Sequence, residues 1–450
     1  AAARAHEVPR RRPCATHHRA RRPDHDHRPR ARSAPDLSDG RAILGRPDAL
    51  LYLVAATLGS FGLGVAAFYL NFLYRALGYD GIALGALVGA AAFGIVLGAI
   101  PAATIARGRS RRTVILTGGV IAGAGLVGLV LLDAFVPLLI SATLFGAGGL
   151  LASSSGAALL ADATAASSRS SRFGQQIALG TMAAFFASAL AGVLAAPVAS
   201  LLGARPDDAI VLRVLVGGGG VIAAASAVPI LFIKRVPVAG AALDAPLRYR
   251  LLARFLIVEF VFGLGAGSFL PFTNLFFAER FGLPFATLGI VLGAIAAAGS
   301  LGALAHGLIA RRYGAVPSVV GVVFASLPFA LLAAFTGDAQ IAVAALALRA
   351  FFMYGSSATW NAVTFSSFTP SERAGVNAVA ALAWAGGSGT GAVISGAIRG
   401  AVGSSGYTAN LLTLIVFYAA AAALIVLFFR QHVPSGDVGA VAMAAPDSRA

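Results

Sequence analysis

The chain has 450 residues, 58% of them hydrophobic and 12% charged, with a formal net charge of +16 and a mean hydropathy of +0.83. These values lie outside the range of soluble domains and make lipid the solvent for most of the chain. A single cysteine, Cys14, excludes an internal disulfide. Of 34 basic residues only Lys234 is lysine; with so much Ala, Gly and Arg, the usage is that of a GC-rich bacterial genome and places the chain in a bacterial cytoplasmic (inner) membrane.

In chain order, residues 1–46 come first and differ from the rest. Arg, Pro and His interleave (Arg10-Arg11-Arg12-Pro13, His17-His18-Arg19, Arg21-Arg22-Pro23) with almost nothing apolar to bury, so a disordered basic arm is predicted. No apolar core of a signal peptide follows the charges. His17, His18, His25 and His27 have no fixed geometry for a metal. The arm reads as a cytoplasmic anchor to anionic lipid and not as a nucleic-acid partner. It begins at Ala1 and not at methionine, so no function is built on it.

Spans are predicted near 49–74, 82–106, 113–133, 136–161, 174–203 and 209–233, and again near 251–277, 285–310, 316–336, 339–364, 374–399 and 407–430. The longer ones exceed the roughly 18 apolar residues that cross a bilayer as helix, whereas barrel strands would be half as long and alternating. A polar linker, 234–250, separates an N-terminal six-helix bundle (47–233) from a C-terminal one (251–432), and a tail, 433–450, follows. Basic residues gather on one side: the arm, Arg107 to Arg112, Arg169 and Arg172, the linker, Arg311 and Arg312, Arg373 and the tail. The other side holds only Arg75, Arg205, Arg213 and Arg280. Positively charged loops stay cytoplasmic, so both termini are predicted to be cytoplasmic.

Sliding the chain against itself shows an internal repeat. Phe61-Gly62-Leu63-Gly64 recurs as Phe262-Gly263-Leu264-Gly265, and Asn71, Gly78, Gly85, Gly98 and Ala106-Arg107 match Asn274, Gly282, Gly289, Gly302 and Ala310-Arg311. Matched loops carry the same charge and lie on the same side. The two halves are therefore parallel copies related by an axis along the membrane normal, giving an all-α membrane protein of twelve transmembrane helices.

Over roughly residues 47–432 the chain resembles the major facilitator superfamily. That family's signature between spans two and three reads G-x-L-A-D-R-x-G-R-R; here Ala103-Thr104-Ile105-Ala106-Arg107-Gly108-Arg109-Ser110-Arg111-Arg112 fills the slot. Gly307-Leu308-Ile309-Ala310-Arg311-Arg312-Tyr313-Gly314 is its second copy. Both lack the family aspartate, so its charge-relay role does not carry over. The resemblance implies a cytoplasmic gate of Arg107, Arg111, Arg112, Arg311 and Arg312 latching onto helix ends; plain topogenic charge is the alternative. Family drug/proton antiporters carry a Gly-Pro motif in span five, but Gly180 to Gly192 contains no proline and Pro197 is placed differently, so import and efflux both stay open.

The inventory of reactive residues excludes other classes. A P-loop needs Gly-Lys-Ser/Thr, and the one lysine stands in Ile233-Lys234-Arg235. Zinc and bis-histidine haem sites need paired ligands, yet between arm and tail His306 stands alone. Neither an enzyme, a cofactor nor a metal is predicted. The expectation is a monomeric secondary transporter of a small organic solute, driven by an ion gradient, with H+ as the coupling ion. The alternative is a transport-inactive sensor or interaction protein on the same fold.

The family expects spans one, four, seven and ten to line a central cavity. At about 100° per residue, Thr57, Ser60 and Asn71 share one face of span one, Ser155 and Asp162 one of span four, Glu259, Thr273 and Asn274 one of span seven, and Arg349, Ser356 and Trp360 one of span ten. Ser60, Asn71, Ser155, Thr273, Asn274, Arg349, Ser356 and Trp360 are the predicted substrate-binding residues, although small polar residues also join helices. Glu259 and Arg349 alone sit well inside the hydrocarbon, roughly 12 and 15 Å from opposite surfaces. They are expected to lie within reach of each other. A proton on Glu259, the predicted coupling residue, would then compete with substrate for Arg349; a static ion pair is the plainer reading.

Overall fold

The structure, a computed structural model, describes residues 46–106, 109–164, 169–234, 248–368 and 373–429. The arm before Arg46, most of the linker and the tail beyond Phe429 lie outside the described residues. In lipid every backbone polar group must be satisfied within the segment, and the described chain is accordingly helical. Its helices are α1 (Arg46–Ala76), α2 (Gly81–Ala106), α3 (Arg111–Leu131), α4 (Phe135–Asp162), α5 (Arg169–Leu202), α6 (Ala209–Ala225), α7 (Ala227–Leu231), α8 (Tyr249–Phe269), α9 (Thr273–Phe281), α10 (Phe285–Tyr313), α11 (Ala315–Phe335), α12 (Ala339–Ser367), α13 (Arg373–Val402) and α14 (Gly406–Phe429). Twelve segments are long and apolar enough to cross a membrane, with α6 and α7 sharing one and α8 and α9 another.

The twelve predicted spans are found, with two refinements. Span seven is not continuous: Pro271, which has no N–H to donate, sits in a 3-10 turn, Leu270–Phe272, between α8 and α9. Span six is interrupted at Ser226. Ends are set locally. Ser110 caps α3 by accepting from the Thr113 N–H, and Asp338 caps α12 by accepting from Gln340 and Ile341. The repeat-matched Gly78 (φ 86) and Gly282 (φ 65) end the first span of each half in the left-handed region, which glycine enters without a Cβ penalty.

Within each half, helices meet through glycine. A Cβ on Gly118 or Gly125 of α3 would come within 2.6 or 2.5 Å of backbone nitrogens of α4, so these antiparallel helices touch backbone to backbone. Such small-residue contacts replace a hydrophobic drive that lipid does not supply. One half comprises α1–α7 and the other α8–α14. They meet along two seams, α2 with α13 and α5 with α10.

Both seams use the same device. A Cβ on Gly396 would lie 2.9 Å from Gly85 Cα, and one on Gly289 would lie 2.9 Å from Gly192 Cα. Because Gly85 matches Gly289 in the repeat, these are the two symmetry-related versions of one contact. Both lie toward the end where α1 finishes and α2 begins, here termed the far end; the near end carries Arg46 and Phe429. Gly85→Ala or Gly289→Ala should cost about 1–3 kcal/mol through overpacking, seen as a lower thermal midpoint in detergent. Gly149→Ala and Gly218→Ala, where a Cβ meets nothing within 4 Å, should leave that midpoint unchanged or raised.

Candidate functional site

The α5–α10 seam closes only part of its length. Gly192 packs on Phe285 and Gly289, and one turn nearer the near end Gly293 packs on Phe185. Beyond that the helices part around a cavity of about 520 Å³, lined by Gln176, Thr181 and Ala184 of α5, Ala296 and Ser300 of α10, and Tyr354 of α12, among others. It lies between the halves, in the size range of small-molecule sites. Its polar groups are neutral. The Gln176 amide donates to the Tyr52 hydroxyl at 3.3 Å. Predicted residue Ser60 stands at its edge, its Oγ 3.9 Å from where a Cβ on Gly180 would lie.

The far end holds the predicted pair Asn71 and Asn274, 7% and 6% exposed. They form a reciprocal clasp across the halves. Asn71 Nδ2 donates to Asn274 Oδ1 at 3.0 Å and to the Pro271 carbonyl at 2.6 Å, while Asn274 Nδ2 donates to the Phe68 carbonyl at 3.0 Å. Each asparagine thus reaches the carbonyl three residues before its repeat partner, as a two-fold axis requires. Phe285 completes the closure, its ring 4.8 Å from that of Phe72 and 5.8 Å from that of Tyr69. These asparagines fill a closed seam and do not line the cavity.

One turn further out, Arg75 Nε meets Glu279 at 3.0 Å across the halves and Arg75 Nη1 meets Asp80 at 2.7 Å in its own half. The Tyr407 hydroxyl donates to Glu279 at 2.7 Å and accepts from Arg399 Nη1 at 3.5 Å. The Arg399 guanidinium covers the Phe272 ring at 4.4 Å. Partial burial pushes the Asp80 carboxyl up, but the Gly81 N–H and Arg75 outweigh it and hold it below the usual carboxylate range. Asp80 stays ionised at neutral pH.

Glu259 and Arg349 do not meet. Glu259 accepts from Trp360 Nε1 at 2.9 Å, tying α8 to α12, in a nest where Trp360 packs 5.2 and 5.4 Å from the rings of Phe255 and Phe429. Arg349, 3% exposed, lies 5.2 Å over the Tyr418 ring of α14, and its Nε and Nη2 have no hydrogen-bond partner among the described residues. The separation is one of height. α12 has 29 residues, more than a bilayer needs. At 1.5 Å per residue, Arg349 stands about 27 Å above the near end of α12 and Glu259 about 15 Å above that of α8.

The remaining predicted residues sit as follows. Ser155 and Ser356 are buried, the latter bonded to the Met353 carbonyl of its own helix at 2.6 Å; Thr273 likewise bonds the Leu270 carbonyl at 2.8 Å. Arg111 pairs with Asp162 at 3.3 Å, making that aspartate a helix-end partner of α3. Arg112 donates to the Ile233 carbonyl at 3.2 Å. Both bind helix ends inside one half and leave the seam uncrossed. Arg312 stands over its neighbour Tyr313 at 5.5 Å; Arg107 and the Arg311 side chain lie outside the described residues.

Sequence reasoning missed the cavity residues Gln176, Thr181, Ser300 and Tyr354, for which neutral polar residues gave no signal. It also missed Glu279; His306, noted only as a lone histidine, has its Nδ1 2.8 Å from the Thr359 hydroxyl. Glu279 had a signal: it is the repeat match of Arg75, and matched positions near a two-fold axis face each other. Replacing Asn71 and Asn274 by Ala, singly and together, should show a coupling of roughly 0.5–3 kcal/mol in unfolding measurements, the double variant costing less than the sum.

The Major Facilitator Superfamily model matches residues 51–385. No curated protein sequence matches the chain. Among solved structures it is similar to a bacterial homologue of the human lysosomal transporter Spinster in an inward-facing, occupied conformation (TM-score 0.71, 17% identity, covering 85% of this chain and 96% of that one). It is also similar to the nucleoside transporter NupG (0.65, 14%, 85% and 98%) and to a bacterial homologue of the iron transporter ferroportin in an inward-facing state (0.64, 16%, 85% and 98%). With a family model spanning most of its length and twelve helices in two matched halves, the chain belongs to the Major Facilitator Superfamily of membrane transporters.

Proposed function

We propose that the protein carries a small organic solute across the membrane by alternating access, coupled to protons. The observation that carries this reading is the asymmetry of the seam: zipped by glycines, asparagines and aromatic rings at the far end, parted around a 520 Å³ cavity nearer the other. That is the form of a carrier open to one side. With the basic loops at the near end, the open side is the cytoplasmic one. The similarity to two inward-facing structures supports the same state.

The cavity suits a neutral or amphipathic solute of nucleoside size. Its groups are amide, hydroxyl and phenol, and NupG is a nucleoside transporter. Ser60 borders it. Ser155, Thr273, Ser356 and Trp360 act on the substrate indirectly, by fixing helices around the cavity. Arg349 is the remaining candidate for an anionic group, since it is desolvated without an acidic partner.

Proton coupling falls to Glu259. Its carboxylate accepts from Trp360, and a proton on Glu259 weakens that charge-assisted bond, loosening the join between α8 and α12. A transport screen in cells lacking their own pumps would identify the solute. Glu259→Gln should then fold and transport, but with a rate that no longer changes with pH between 5 and 8; an unaltered pH profile would remove Glu259 from coupling.

A further inference from the structure

The far-end cluster has a property that a simple lock lacks: each charge at the seam holds one partner in its own half and one across. Arg75 has Asp80 at 2.7 Å beside it and Glu279 at 3.0 Å opposite. Glu279 has Tyr407 at 2.7 Å beside it, and Tyr407 is reached by Arg399 at 3.5 Å. Arg75 and Asp80 pair within the first half, and in the second Glu279 is linked to Arg399 through the Tyr407 hydroxyl. Among the ion pairs formed between described residues, Arg75–Glu279 alone joins the halves.

We propose that Arg75, Asp80, Glu279, Tyr407 and Arg399 form a partner-exchange gate, in which one cross-half ion pair is broken on opening while Asp80 keeps Arg75 paired and Tyr407 keeps Glu279 hydrogen-bonded. This assignment rests on the alternating-access reading. A gate of bare opposite charges would leave an arginine and a glutamate facing a widening gap. Here the reserve partners Asp80 and Tyr407 remain within reach of them, so the two states differ by one half-exposed pair, at 35% and 34% side-chain exposure. Pairs of that kind contribute little, roughly two- to fivefold in an equilibrium.

The arrangement gives neighbouring residues opposite effects. Removing a seam residue weakens the closed state more, because only that state also has the cross-half pair. Removing a reserve partner weakens the open state more, because the closed state still has the cross-half pair. A merely structural cluster would respond with one sign throughout.

Spin labels at Ala134→Cys and Ser405→Cys, both exposed far-end positions in opposite halves, report closure by electron–electron distance measurement in lipid nanodiscs, in a Cys14→Ala background. Arg75→Gln and Glu279→Gln should raise the long-distance share roughly two- to fivefold. Asp80→Asn, which keeps an acceptor for the Gly81 N–H, and Tyr407→Phe should lower it by a similar factor. Two variants in each direction keep the comparison if one fails to fold. If Asp80→Asn and Tyr407→Phe raise the share as well, or if two populations exist and no variant moves them, the gate is overturned and alternating access stands. A single distance in the parent and every variant would remove alternating access and the gate with it.

Discussion

Everything at the seam depends on how closely two helix backbones can approach when neither carries a side chain there. Gly85 against Gly396 and Gly192 against Gly289 bring the halves to a separation that no other residue permits, since an added Cβ would press on a Cα at 2.9–3.1 Å. Only at that separation can Asn71 and Asn274 reach the opposite carbonyls at 2.6 and 3.0 Å and Arg75 reach Glu279. In lipid, apolar side chains gain little by leaving one apolar surface for another, so close packing and a few hydrogen bonds hold such an interface. The far end concentrates both, with the Phe285 ring of one half set against Phe72 and Tyr69 of the other.

Charges within the spans are satisfied in a graded way. Glu259 has one strong donor in Trp360. Arg399 is held by aromatic faces, Phe272 at 4.4 Å and Tyr407 at 5.5 Å, which supply attraction without a counter-ion. Among the described residues both arginines leave Nε and Nη2 without a hydrogen-bond partner, but Arg349 has a single ring where Arg399 also reaches the Tyr407 hydroxyl.

The sequence made the architecture legible because its signals are long and repeated: a span needs some twenty apolar residues, and Gly78, Gly85 and Gly98 recur at Gly282, Gly289 and Gly302. Pro271 marks the break in span seven. The site was less legible. Helical periodicity puts Asn71 and Asn274 on inward faces, but an inward face meets either the cavity or the opposite half, and periodicity does not say which. Glu259 and Arg349 were matched by depth measured from opposite surfaces, which holds only if each helix is as long as the bilayer is thick. With 29 residues, α12 overshoots, and the residue level with Glu259 is Trp360.

The two ends differ in what their polar contacts join. At the near end, Arg111 and Arg112 bind Asp162 and the Ile233 carbonyl, ends of helices in their own half; they stiffen that half as one body and are indifferent to how far the other half stands off. At the far end, Asn71, Asn274, Arg75 and Glu279 bind across. Contacts of the first kind would survive a rigid-body rotation of one half against the other and those of the second would not. Under the alternating-access reading proposed above, such a concentration of cross-half contacts means that a small differential interaction suffices to shift the balance, since a ligand moves an equilibrium only by as much as its affinities for the two states differ.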